Sequence, residues 1–330
     1  MVIGYYVHHH GAGHLTRARV ISSQLEASGH RVVMLGSDLG ESAGVVLPRD
    51  HHGDLPFVEP QAGGALHWAP LGHPGYSERM HAIATWVMAH RPRAVVVDVS
   101  VEVTTLLRLL GVPTVVVAQP GDRCDDAHEL AFRCATAILA PWPAQARACP
   151  AIEAFGSKVA YTGGISGALR KPRPRTVGVV LDGRGGGASH AVIDQLRDQV
   201  PGMPWVRAGG GSWVSDIGEL LNQARVVITH CGQNAVADVA AIDVPAVLRP
   251  QPRPHDEQVY LSSELSRLGL AVAAPEGRTP GRRSRQAKVN GTDWSSTVDE
   301  AMGQATQWHL WDTECATERA ADLIEAVACG

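Results

Sequence analysis

Unbroken apolar runs of about five residues recur along the chain, each followed by a stretch whose hydrophobic positions repeat at helical spacing. In the first half the pattern predicts strands over 3–7, 31–35, 94–98 and 114–118, with helices over 16–28 and 102–110 between them. The valine runs at 94–98 and 114–118 do not alternate with polar residues, as expected of parallel strands covered on both faces. Gly, Pro and Arg then crowd together without periodicity up to Arg175, which reads as a linker. The pattern restarts with strands over 177–181, 225–229 and 246–248 and helices over 190–199, 234–241 and 257–268, followed by a basic loop at 277–285 and an Ala- and Glu-rich helix over 313–327. The expected division is a first α/β domain over 1–163, a linker over 164–175, a second α/β domain over 176–310 and a terminal helix over 311–330.

Composition narrows the choice of partner. A chain of 330 residues with 45% hydrophobic and 19% charged residues can build two ordinary cores, and 35 Gly with 21 Pro imply many tight turns. A formal charge of −4 supplies no global field for nucleic acid or an anionic membrane, so phosphate recognition has to be local and the partner small. The six cysteines show no C-x-x-C spacing and fit reduced cytoplasmic thiols. The N-terminus lacks a basic and apolar leader, and no run is long enough to cross a bilayer. Nothing in the pattern fixes an oligomeric state, and a homodimer is left open.

The most specific chemistry lies in the run from His230 through Cys231, Gly232, Gln233, Asn234 and Ala235 to Asp238. Gly232 permits a tight turn after a strand, and the amides of Gln233, Asn234 and Ala235 open a helix whose positive end favours a diphosphate. Asp238, four residues after Asn234, shares its helical face and can accept both hydroxyl protons of a ribose. The same residues also fit a structural turn with a surface acid. Asp256, Glu257 and Gln258, after prolines at 250, 252 and 254, can grip vicinal sugar hydroxyls, or Asp256 can cap the helix that follows. Gly185, Gly186 and Gly187 form a second loop that could approach phosphate, though a surface loop would read alike.

In the first half, Gly11 and Gly13 clear the backbone beside His14 in a strand-to-helix turn. His14 there can act as a base titrating near neutrality, or simply cap the helix. Asp98, ending a strand at the same sheet edge, can orient His14 or cap the next helix. A metal site from His8, His9, His10 and His14 is disfavoured, because adjacent side chains on a strand point to opposite faces and no carboxylate shares the spacing. His67, His73 and His81 with Trp68 and Tyr76 mark a long irregular segment that could shape an acceptor pocket, although scattered surface residues of a loop are the favoured reading.

Taken together, these residues resemble the glycosyltransferases of GT-B architecture, nearest the family of the bacterial lipid II-forming N-acetylglucosaminyltransferase. The resemblance implies two Rossmann-like doubly wound parallel-sheet domains facing across a cleft; high Ala, Arg and Gly usage suits a bacterial source, and the thiols a cytoplasmic one. The resemblance makes the Gly11–His14 turn the family's glycine-histidine loop, 185–189 its phosphate loop, and 230–238 its donor signature. Asp238 then stands where the family has a ribose-binding Glu, Glu257 and Gln258 contact the donor sugar, and Trp213 and Val214 take the place of a base-contacting Phe and Ile. His14 with Asp98 resembles the His-Asp dyad of inverting relatives. The implied reaction is metal-independent and needs no cofactor beyond the nucleoside diphosphate sugar itself, a UDP-sugar in preference to a TDP-sugar. A soluble small-molecule acceptor is expected, since no extended apolar and basic surface suits a lipid-linked one. A nucleotide-sugar hydrolase of the same architecture, or an inactive nucleotide-sugar-binding partner subunit, are the competing expectations.

Overall fold

The computed structural model describes residues 1–9, 12–51, 56–183, 189–210, 214, 216–274 and 293–330. Gly11, Gly185, Gly186, Gly187 and Trp213, all expected at the donor site, lie outside these residues, and so does the basic loop at 277–285.

The first domain alternates β1 (Val2–Val7), α1 (Ala12–Ala27), β2 (Arg31–Gly36), β3 (Gly44–Val46), α2 (Pro74–His90), β4 (Ala94–Asp98), α3 (Val101–Leu109), β5 (Thr114–Val117), α4 (Asp126–Cys134), β6 (Ala137–Ala140) and β7 (Val159–Tyr161). Its strands form one parallel sheet in the order β3-β2-β1-β4-β5-β6-β7. The second domain runs through β8 (Val177–Leu181), α5 (Ser189–Gln199), β9 (Trp205–Ala208), α6 (Ile217–Asn222), β10 (Ala224–Thr229), α7 (Gln233–Ile242), β11 (Ala246–Leu248), α8 (Glu257–Arg267), β12 (Val272–Ala273) and α9 (Trp294–Gly303), with sheet order β12-β11-β10-β8-β9. Strand order reverses between β1 and β4 in the first sheet and between β10 and β8 in the second. Such switch points open a crevice at the carboxyl ends of the strands. His14 follows β1, Asp98 ends β4, and 230–232 follow β10, so both crevices carry the residues singled out from the sequence.

One face of the first sheet, through Ile3, Tyr5, Val96, Val115 and Leu139, packs on α1 and on the last helix, α10 (Ala316–Cys329). The chain therefore returns to its first domain after completing the second. The two crossings touch: the Gly164 amide donates to the Trp311 carbonyl at 3.0 Å. Gly163 has φ 81, and a Cβ there would collide with the Asp312 carbonyl oxygen, while one at Gly164 would meet the Trp311 indole. Only glycines allow this approach.

The segment around His67, His73 and His81 departs from the irregular stretch expected. Pro74 and Gly75 open the 17-residue α2, with Pro at the first helical position and His73 at the N-cap accepting from the Tyr76 amide at 3.4 Å. His81 lies on the helix itself and His73 is buried at its N-cap, whereas His67 and Trp68 lie further upstream in non-helical backbone. The terminal helix starts at Ala316, three residues later than its composition implied.

Candidate active site

His14 lies in the first turn of α1, and its Nδ1 is 2.9 Å from Oδ1 of the fully buried Asp98. With Nδ1–H donating to the carboxylate, Nε2 is left as the basic nitrogen of the ring. Arg17, one turn further along α1, donates to both Asp98 oxygens, from Nε at 3.1 Å and Nη2 at 2.6 Å. Burial alone would raise the Asp98 carboxyl, but Arg17 and then His14 outweigh it and hold the group well below the usual carboxylate range. Ser100, not Asp98, caps α3, accepting from the Val103 amide at 3.2 Å. Between them Val99 takes φ 63, a costly conformation for a β-branched residue, which turns the chain sharply beside the carboxylate.

Arg17 also reaches across the cleft. Its Nη1 donates to Oε1 of Gln233 at 2.6 Å, and Asn234 Nδ2 donates to the Gly13 carbonyl at 2.7 Å. The amino termini of α1 and α7 therefore face one another, two positive helix poles with a guanidinium between them and one carboxylate, Asp98, on that guanidinium. This arrangement favours an anion with more than one charge. Gly232 is the N-cap of α7 and offers no side-chain acceptor to the amides of Gln233, Asn234 and Ala235. Gln233 Nε2 is buried with no hydrogen-bond partner among the described residues. Arg17 had no role in the sequence reading, although its spacing of three from His14 puts both on one helical face.

The other donor-side residues fall into different settings. His230 Nδ1 lies 3.3 Å from the Leu181 carbonyl, and burial lowers its pKa. Cys231 has φ 62 and a core-buried side chain whose thiol is pushed up to about 12 by burial, so it can present only backbone to a ligand. Val214 packs half-buried against the main core. Asp238 accepts from Ser166 Oγ of the linker at 2.5 Å, and burial raises its carboxyl to about 6 against the opposing effect of that bond. Gln258 is buried and accepts the Gln251 amide at 2.9 Å, while Gln251 Nε2 donates to Asp182 at 2.8 Å. Asp256 occupies the N-cap position of α8 with φ 51 but makes no side-chain capping bond. Glu257 is 3.5 Å from Arg123 Nη2 of the first domain.

Beside Arg123 lies a group that no local pattern predicts. Asp125, the N-cap of α4, takes His67 Nε2 at 3.0 Å and His128 Nδ1 at 2.6 Å, and His255 Nδ1 of the second domain stands 3.9 Å from the same carboxylate. Burial pulls His128 down to about 4, with Arg123 and His67 adding to it against the Asp125 hydrogen bond. Residues 67, 125, 128 and 255 have no metal-motif spacing, and only folding reveals their convergence. A cavity at the carboxyl ends of β4 and β5, walled by Val99, Val116, Ala118 and Phe132 with His67 and Arg123 at its polar side, adjoins this group.

Two facing doubly wound parallel-sheet domains with a polar cleft form the GT-B architecture, and comparison with solved structures agrees. Residues 208–283 match the glycosyltransferase family 28 C-terminal domain. The crystal structure of Acinetobacter baumannii MurG superposes with a TM-score of 0.62 at 16% identity, covering 98% of this chain and 99% of that one. An uncharacterized glycosyltransferase of Methanopyrus kandleri is 32% identical over 82 residues, 25% of this chain and 24% of that protein. The UDP-N-acetylglucosamine--N-acetylmuramyl-(pentapeptide) pyrophosphoryl-undecaprenol N-acetylglucosamine transferase of Lawsonia intracellularis is 28% identical over 111 residues, 30% of each chain. The matches thus span under a third of these curated relatives. Among the described residues no helix is long and apolar enough to cross a membrane.

Proposed function

We propose that the chain transfers a sugar from a nucleoside diphosphate donor to a small, soluble acceptor, with inversion at the anomeric carbon and without a divalent ion in the transfer step. One observation carries this reading: Arg17 ties the His14–Asp98 pair to the amino terminus of α7. A base and a diphosphate-favouring pole thereby share one cleft. In the proposed step Nε2 of His14 takes the acceptor hydroxyl proton while the hydroxyl oxygen bonds to the anomeric carbon. The bond from that carbon to the diphosphate breaks, and the departing charge falls against the amides of Gln233, Asn234 and Ala235. A phosphate oxygen there would also give Gln233 Nε2 an acceptor. UDP is favoured over TDP because the Lawsonia intracellularis relative is named for a UDP-sugar. Six free cysteines fit a reducing compartment such as the bacterial cytoplasm.

The test is product analysis with UDP- and TDP-sugars, with and without candidate acceptors, in the presence of chelator. Acceptor-dependent glycoside formation that survives chelation is expected. Stoichiometric free sugar indifferent to every acceptor would make the chain a hydrolase, and loss of turnover restored by Mg²⁺ would refute the metal-free step.

Asp238 supplies a second expectation. Its carboxyl sits at about 6 when folded against an ordinary 3.8, so the unfolded chain loses this proton first and stability falls as pH rises from 4 towards 6. Asp238→Asn removes that penalty and should raise the Tm of the ligand-free protein at pH 7, while weakening nucleotide binding by about 1.5–3 kcal/mol if the carboxylate holds the ribose. Calorimetry showing unchanged affinity would move the ribose contact elsewhere.

A further inference from the structure

We propose that His67, Asp125 and His128 of the first domain and His255 of the second form a binding site for a Zn²⁺-class cation, which latches the two domains together. The four side chains each offer one ligand atom, and these atoms lie within 4.8 Å of one another. Three imidazoles and a carboxylate are a tetrahedral zinc donor set, in which ligand atoms at bond lengths of about 2.0–2.1 Å sit about 3.3 Å apart. The Asp125 contacts to His67 at 3.0 Å and to His255 at 3.9 Å already bracket that spacing. With all four positions filled by protein, the site is closed, which fits a structural ion and not a reactive one.

The framework around the four is stiff. The amides of His67 and Trp68 donate to the Glu102 carboxylate at 2.8 and 2.9 Å, which fixes the His67 loop. Asp125 accepts the His128 amide at 3.0 Å, so both are locked to the first turn of α4. His255 and Asp256 are consecutive non-glycine residues with φ 58 and 51, and the His255 carbonyl accepts the Asp122 amide of the other domain at 2.9 Å. Strain of this kind persists where the surroundings impose it and is concentrated at ligand clamps. Gly121 clears the same crossing, since a Cβ there would strike the His255 carbonyl oxygen.

Arg123 is the unfavourable neighbour, with Nη1 3.3 Å from His128 Nε2. Binding through His128 Nδ1 places that ring's proton on Nε2 and removes the acceptor. Arg123 then keeps the Pro120 carbonyl and the Glu257 carboxylate. Asp125 and Glu257 offset two of the three positive charges brought together. The His9, Asp50 and His51 group is a smaller cluster in the first domain alone and serves as the control.

The experiment is titration of Zn²⁺ into the chelator-stripped full chain against a chromogenic competitor. One tightly bound Zn²⁺ per chain is expected. His255→Asn, which tolerates a left-handed backbone, and His67→Ala should each weaken it by about 100-fold or more, beyond the roughly 10–100-fold cost of losing an outer-sphere partner. Circular dichroism checks that each variant is folded. Absence of stoichiometric binding to the wild-type chain overturns the proposal, as does binding that survives both substitutions or is lost only with Asp50→Asn.

Discussion

Replacing His14 with alanine is expected to lower kcat by a factor of about 10²–10⁴, the usual contribution of a positioned general base, with nucleoside diphosphate affinity changed little. The split follows from geometry. His14 meets the cleft through its ring, while the α7 amides and Gln233 approach from the other domain and keep their backbone whatever stands at position 14. Steady-state kinetics alongside calorimetry with the nucleotide alone would show it. Turnover unaffected by the substitution would remove His14 from the chemistry. If no activity were found in wild type or variant while the nucleotide still bound, the chain would be a binding subunit.

Asp98→Ala is expected to destabilise the protein by about 3–5 kcal/mol, because it leaves the buried Arg17 guanidinium without its carboxylate. Urea denaturation with an unchanged m value is the measurement. The double variant Asp98→Leu, Arg17→Met should recover part of the loss, since no charge then remains buried without a counter-charge. The wild-type sign with pH is the opposite of that at Asp238. Asp98 is depressed in the fold, so its stabilisation is present above the ordinary carboxylate range and disappears as pH falls below it. A loss well below 1 kcal/mol for Asp98→Ala would mean that Gln233, Asn234 and the cleft can satisfy Arg17 unaided.

Legibility from sequence followed locality. The strands at Ala94–Asp98 and Thr114–Val117 stood out because burial on both faces leaves little but valine possible. The α7 turn was legible because strand end, glycine, helix start and acid all fall within ten residues. Helix α2 was not, since Pro74 and Gly75 are turn residues until the capping His73 is seen, and Arg79 is buried on a face that a hydrophobic pattern would leave to solvent. Arg79 is accommodated by donating to Tyr6, Ser37 and the Pro48 carbonyl. Ser166 on Asp238 and His255 beside Asp125 are contacts across 72 and 130 residues, which no local periodicity encodes.

The return of α10 to the first sheet has a consequence for synthesis. Ala316, Ala320, Ala321 and Ile324 cover the same core as Ile3, Tyr5 and Ile21, so residues from opposite ends of the chain complete one layer. A ribosome releasing the chain from its amino terminus must make the whole second domain before supplying that cover. Throughout that interval part of the first sheet is apolar and open, the kind of surface chaperones bind. The first domain is therefore the earliest to begin folding and the last to finish.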